Sequence, residues 1–181
     1  MDYVPGLTVE ECWDNLDSAR QQSIAAQVAT IIETMQRAPL DLPPEPIGGT
    51  EGYKFEGPWF TDYGAGLFAT LQELKDWCNH KIDVCIQFKQ LPEDAPRFTF
   101  RSVVFTHQDI ALRNLIIDVQ DEVWLVDWAF AGAYPPGFEQ ALLPTQSTRV
   151  FADMVLQRLS DRQEQVMGQF SIIAYGLSVA A

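Results

Sequence analysis

The residues with the most chemistry in this chain lie in one stretch, His107-Gln-Asp109-Ile-Ala-Leu-Arg-Asn114, with Asp127-Trp128 after it. A carboxylate in a loop can orient a hydroxyl and accept its proton. The oxygens of an amide and of a second carboxylate can hold Mg²⁺ against phosphate groups. Phosphoryl transfer asks little more of a protein. Asp109 suits the first task, and Asn114 and Asp127 suit the second.

Those side chains need elements to aim them. Residues 102–105 form a short apolar run, and residues 115–118 and 123–126 form two more, joined by a polar turn at 119–122. The last two read as a small β-hairpin. A loop after the first run would point Asp109 and Asn114 into one cleft, and the hairpin would return Asp127 to the same place. Such a set, closing on Asp-Trp at the end of an apolar strand, arises by chance in roughly one chain in ten thousand. The plainer reading is that Asp109 and Asn114 shape a turn and Asp127 caps the next segment.

The remainder reads as mostly helical, an α+β chain. Residues 18–37 predict a helix with Ile24, Val28, Ile31, Ile32 and Met35 on one face and Asp17 or Ser18 as cap. Residues 38–57, rich in Pro and Gly, predict an irregular and partly mobile excursion. A second helix is expected over 65–79, with Leu67, Leu71, Leu74 and Cys78 along one stripe, then a polar linker over 89–97. Tyr134-Pro-Pro-Gly137 interrupts the chain, and two helices are expected over 147–159 and 163–177.

Composition narrows the function classes. The 181 residues are 47% hydrophobic and 20% charged, ordinary for one folded domain or lobe, and the net charge is −13. That charge argues against non-specific nucleic-acid binding and against attachment to anionic membranes. It would favour a cationic small molecule, although solubility explains it more simply. Cys12, Cys78 and Cys85 are odd in number and form no CxxC pair, so neither a disulfide framework nor a zinc site is suggested. Reduced thiols fit a cytoplasmic setting. The first residues lack the basic and apolar runs of a signal peptide, and the apolar tail at 170–181 is too short to span a bilayer.

The pattern His-x-Asp-x-x-x-x-Asn followed by Asp-Trp resembles the signature of the aminoglycoside phosphotransferase family, which is choline kinase-like and has the protein kinase-like fold. The longer strings Phe105-Thr-His-Gln-Asp-Ile-Ala-Leu-Arg-Asn114, Trp124-Leu-Val-Asp-Trp-Ala-Phe-Ala-Gly132 and Tyr134-Pro-Pro-Gly-Phe-Glu139 resemble a fungal-type branch of it. The resemblance implies a transferase that moves phosphate from ATP, with Mg²⁺, to a small-molecule hydroxyl. It makes Asp109 the catalytic base and Asn114 and Asp127 the metal and nucleotide ligands. Gly is commoner where Gln108 stands; that change crowds the turn, spares the three oxygen-bearing side chains, and leads to the expectation that Gln108→Gly is nearly neutral. Residues 1–7 resemble the connector that leaves the small nucleotide-binding lobe, and the backbone of Asp2 to Val4 would then approach adenine. No glycine-rich phosphate loop or strand lysine precedes that connector; Lys54 and Lys75 lie in the wrong region. Residues 1–181 therefore resemble a large C-terminal lobe without its N-terminal lobe, with negligible kinase activity and self-association of the isolated lobe as expectations. The rival readings are a non-catalytic kinase-like binding or interaction module, and a metal-dependent hydrolase, which would need a denser ligand set than two oxygens.

Other residues carry weaker signals. His107 is expected to hold the loop rather than shuttle protons, and Arg113 to pair with a carboxylate rather than touch phosphate. Trp128 is expected in the core behind the metal site, and Trp13, Trp59 and Trp77 as core or loop anchors. Glu139 and Asp153 are expected on a solvated face, with contact to a cationic substrate as the alternative.

Overall fold

The computed structural model describes residues 3–47, 54–57, 59–60 and 64–179. Strand β1 (Gly6–Thr8) runs into a single turn of helix, α1 (Val9–Cys12), because Thr8 and Glu11 form a capping box: each satisfies the other's backbone N–H, at 2.8 and 3.3 Å. Asp17 then caps α2 (Ser18–Met35) through the Arg20 N–H at 2.8 Å. The predicted boundaries and buried face of this helix are close to those observed.

The described part of the excursion is more ordered than its composition suggests. It contains β2 (Glu45–Pro46), a bridge from Leu40 to Val103 and another from Phe55 to Ala65. The expectation of mobility falls partly on residues 48–53, outside the described set. Helix α3 (Leu71–Gln87) starts later and ends later than expected. Thr70 caps it at the Glu73 N–H, so Leu67 lies before the helix and is exposed, while the stripe continues through Ile82 and Cys85.

Strand β3 (Val104–Thr106) leads into the segment of interest. A 3₁₀ turn over Leu112–Asn114 follows, then β4 (Leu115–Asp118) and β5 (Val123–Leu125) as the expected hairpin, and β6 (Gly132–Tyr134). Two antiparallel sheets result, ordered β1-β4-β5 and β2-β6-β3. Helix α4 (Phe138–Gln146) was not apparent in the sequence, because Tyr134-Pro-Pro-Gly137 precedes it and Pro144 lies within it. Gly137, at φ 97°, supplies the left-handed residue at its start; a side chain there would meet Val166 at 2.8 Å. Helices α5 (Arg149–Leu156), α6 (Glu164–Ile172) and α7 (Ala174–Val179) complete the chain.

Two apolar cores form. One gathers α2, α5 and β4 with Trp13 and Ile110. The other gathers α3, α4 and α6 with Phe55, Trp59, Phe60 and Tyr134. The segment 107–114 contributes Ile110 and Leu112 to the first core, while the strand after Asp127 contributes Tyr134 to the second. Among the described residues no helix is long and apolar enough to cross a membrane. All three cysteines are free.

Candidate active site

The loop after β3 turns sharply because Gln108 adopts φ 65°, a left-handed conformation unusual for a residue with a side chain. Turning there removes two backbone N–H groups from the sheet. Both find one acceptor: Glu139 Oε2 receives the His107 N–H at 2.5 Å and the Gln108 N–H at 3.0 Å. Glu139 is fully buried at the start of α4, which corrects the expectation of a solvated face. Burial pushes its carboxyl up to about 7; the Gln108 and His107 N–H donors oppose this, and the nearby Asp109 charge adds to it.

His107 is fully buried too. Its Nδ1 accepts the Asp109 backbone N–H at 3.2 Å, so the proton is assigned to Nε2, which donates to the Val126 carbonyl at 3.0 Å. Burial lowers its pKa, against the Val126 hydrogen bond and the Asp109 and Asp127 charges. A neutral ring bonded at both nitrogens fastens the loop to the end of β5, the structural role expected of it. Trp128 packs edge-on to His107 at 4.7 Å and stacks on Phe105 at 5.7 Å. It is 41% exposed, so its expected place in the core is corrected. Leu125 ends β5, and an indole so soon after it is carried out toward solvent, its Nε1 donating back to the Leu125 carbonyl at 3.2 Å.

Asp109 is buried, and both of its carboxylate oxygens are engaged. Arg113 Nη2 donates to them at 2.6 and 2.8 Å, the carboxylate pairing expected for that arginine. Asn114 Nδ2 donates to the Asp109 carbonyl at 2.9 Å and to its Oδ2 at 2.8 Å. The 3₁₀ turn permits this by folding Asn114 back over the loop, closed by its N–H on the Ala111 carbonyl at 2.9 Å. With its amide nitrogen committed to Asp109, Asn114 has its Oδ1 left without a hydrogen bond among the described residues.

Asp127 lies one residue past the Val126 N–H, which donates to the Asn114 carbonyl at 3.0 Å. The hairpin therefore brings Asp127 close to Asn114, the residue just before β4. Its φ is 61°, a conformation that short polar side chains tolerate. Its carboxylate is exposed and has no side-chain hydrogen bond or ion pair among the described residues. An amide oxygen and an uncommitted carboxylate make a hard-oxygen pair of the kind Mg²⁺ takes when it keeps waters and phosphate oxygens as its other ligands. No group of three or more His, Cys, Asp or Glu that could hold a metal occurs among the described residues.

Beside this pair the β1-β4-β5 sheet aligns Thr8, Ile116 and Trp124 in register. Trp124 is half exposed, and so are Leu7 and, more fully, Tyr3. The adenine contact expected of Asp2 to Val4 falls partly outside the described residues. Asp153 stands on the outer side of α5 near Arg149 at 3.7 Å, on the solvated face expected for it. Trp13 and Trp59 are core residues, as expected.

Sequence reasoning missed the use of Glu139 and Gln108. Each acts by holding backbone far away in sequence, and no spacing pattern announces that.

A model of a phosphotransferase enzyme family matches residues 1–171. No curated protein sequence matches significantly. Among solved structures, the gentamicin–APH(2")-IIa complex superposes with a TM-score of 0.53 at 15% identity, covering 91% of this chain and 56% of that one. The choline kinase LicA from Streptococcus pneumoniae gives 0.49 at 13% identity, over 97% of this chain and 58% of that one. LicA in complex with AMP gives 0.49 at 14% identity, over 97% and 56%. The chain thus spans a little over half the length of the solved structures it matches.

Proposed function

This chain belongs to the phosphotransferase enzyme family, and we propose that it contributes the base and metal-holding half of an ATP-dependent kinase acting on a small-molecule hydroxyl. The observation that carries this reading is the buried Asp109–Asn114 pair, bonded at 2.8 Å, with Asp127 set beside it by the β4–β5 hairpin. Asp109 takes the proton of the attacking hydroxyl as the new oxygen–phosphorus bond forms and the bond to the ADP oxygen breaks. Asn114 Oδ1 and the Asp127 carboxylate would hold Mg²⁺, which supplies charge neutralisation on the phosphate oxygens when bound. Asn114 Nδ2 meanwhile fixes the orientation of Asp109, and Arg113 holds the carboxylate in place until the hydroxyl arrives.

The finer assignments are proposals on the same basis. Residues 1–181 act as the large lobe, with residues 1–7 as the connector. The fungal-type branch is supported by the strings around Asp109, Asp127 and Glu139. The acidic surface favours a cationic acceptor, and three free thiols suit the cytoplasm. Residues 1–181 contain no glycine-rich phosphate loop with a strand lysine, so this stretch alone turns over negligibly. Exposed Tyr3, Leu7 and Trp124 favour its self-association.

The test is ATP turnover across a panel of amino alcohols and aminoglycosides, by residues 1–181 alone and joined to a family nucleotide lobe. Turnover in the joined protein that Asp109→Asn abolishes supports the reading; turnover indifferent to that change removes Asp109 as base. Nucleotide titration with and without Mg²⁺ separates the kinase from a non-catalytic module, which would show no metal dependence.

A further inference from the structure

We propose that Gln108 is a positioning residue that sets the Asp127 turn relative to the loop bearing Asp109, through the bond from its side-chain amide to the Phe130 carbonyl. The inference rests on the reading of Asn114 and Asp127 as a shared cation site. It runs against the expectation that Gln108→Gly is nearly neutral, and the experiment below decides between them.

Asp127 has no side-chain partner among the described residues, so its place depends on the backbone around it. Besides the Val126 N–H on the Asn114 carbonyl at 3.0 Å, two side chains from elsewhere in the chain grip that backbone, and both belong to one dipeptide. His107 Nε2 bonds the Val126 carbonyl at 3.0 Å, just before Asp127. Gln108 Nε2 bonds the Phe130 carbonyl at 2.8 Å, just after it. Between the two, the turn closes on itself through the Ala131 N–H and the Trp128 carbonyl at 3.1 Å. The dipeptide is itself immobilised, since Glu139 Oε2 accepts both of its N–H groups. The next residue in the chain is Asp109. The base and the proposed metal ligand therefore share one anchor, and Gln108 is the half of it that reaches past Asp127.

The cost of keeping a side chain at Gln108 supports a role for it. The residue is fully buried and sits at φ 65°, a left-handed conformation that is strained with a side chain and relaxed with glycine. Its Oε1 is buried without a hydrogen-bond partner among the described residues. A strained backbone and an unpaired oxygen are poor choices for filling space, since Gly relieves the first and an apolar side chain the second. Neither replacement can donate to the Phe130 carbonyl.

The probe is Mn²⁺ added to isotope-labelled wild-type chain, Gln108→Met and Gln108→Gly, followed by paramagnetic broadening of the Asn114 and Asp127 backbone amides. Met keeps the volume and loses the donor. Gly suits the left-handed backbone, so it keeps the test alive should the Met variant misfold. In wild type both amides should broaden with one midpoint. In the variants the midpoint should rise about ten-fold, the scale for losing a group that orients a metal ligand. The ratio of broadening at Asp127 to that at Asn114 should also change, because only the Asp127 turn is released. General loss of stability weakens both amides together and leaves the ratio unmoved. An unchanged ratio in a folded variant overturns the proposal. Wild type that broadens at neither amide overturns the cation-site reading instead, and this inference with it.

Discussion

The two loops that form the candidate site are built in opposite ways. The Asp109 loop is closed: His107, Gln108, Asp109 and Asn114 are all buried, and the Asp109 carboxylate is held from two sides by Arg113 and Asn114. The Asp127 turn is open: its carboxylate is exposed and unpartnered among the described residues, and Trp128 beside it is 41% exposed. A base must already be in place when the hydroxyl arrives, because its contribution depends on geometry within a hydrogen bond. A metal ligand can be drawn into place by the cation it binds. The contrast matches the two proposed roles and predicts different responses to mutation.

The largest effect should come from the closed loop. Asp109→Asn preserves shape and removes the proton acceptor. In a version of the enzyme that turns over, kcat should fall roughly 10²–10⁴-fold, as removal of a general base usually does. Steady-state kinetics would show it, with KM for ATP little changed. A fall in ATP affinity with kcat intact would assign Asp109 to the metal and break the contrast.

Next in size is the support beneath that loop. Glu139→Ala would leave the His107 and Gln108 N–H groups buried without acceptors and open a cavity. The expected loss is about 3 kcal/mol, read from urea unfolding. Glu139 also predicts a pH dependence. Its carboxyl is pushed up to about 7 from a usual 4.5, so the native state binds more protons across that window. Its contribution is fully present below about 4.5 and is lost as pH rises through about 7, an expected decline of about 3 kcal/mol. Glu139→Gln, which mimics the protonated acid, should flatten that part of the pH–stability curve. An equally steep curve in the Gln variant would mean that the slope belongs to other groups.

What the sequence disclosed follows the same divide. The α2 amphipathic stripe and the hairpin after Asn114 were legible because local periodicity encodes them, and the family match agrees with the motif reading. Strands β2 and β6 were not, because Glu45–Pro46 pairs with Gly132–Ala133 across a long separation and neither piece alternates. Helix α4 was hidden by its prolines. In the site, the three oxygen-bearing residues were named from spacing. The buried acceptor Glu139 was not recognised, since a carboxylate in a sequence reads as surface until its donors are known. Gln108 was judged by the family's commoner Gly, which says nothing of a carbonyl 22 residues away.

The open turn should respond more mildly in stability than in binding. Asp127→Asn retains a short polar side chain that tolerates φ 61° and removes the charge, so stability should stay within about 0.5 kcal/mol. Mg²⁺–nucleotide affinity should nevertheless fall along with turnover, because a ligand has been weakened rather than a base. Calorimetric titration beside a melting curve would show both. A large stability loss without a change in metal dependence would make Asp127 a structural residue.

The smallest effect is expected at Asp153, and it bears on the substrate. This carboxylate was the alternative contact for a cationic acceptor. It lies on α5 with its side chain 53% exposed, 3.7 Å from an Arg149 that is itself 90% exposed. Exposed pairs at such spacing are worth at most about 0.5 kcal/mol, because water screens them and both side chains lose freedom in forming them. Asp153→Ala should therefore leave the melting midpoint unchanged within error. If the acidic character of the chain serves solubility at this position, KM for a cationic acceptor should not move either. A several-fold rise in that KM, absent for an uncharged acceptor and reversed by Asp153→Glu, would instead show that an open carboxylate outside the two loops meets the substrate, and the divide between closed base and open metal turn would then need a third member.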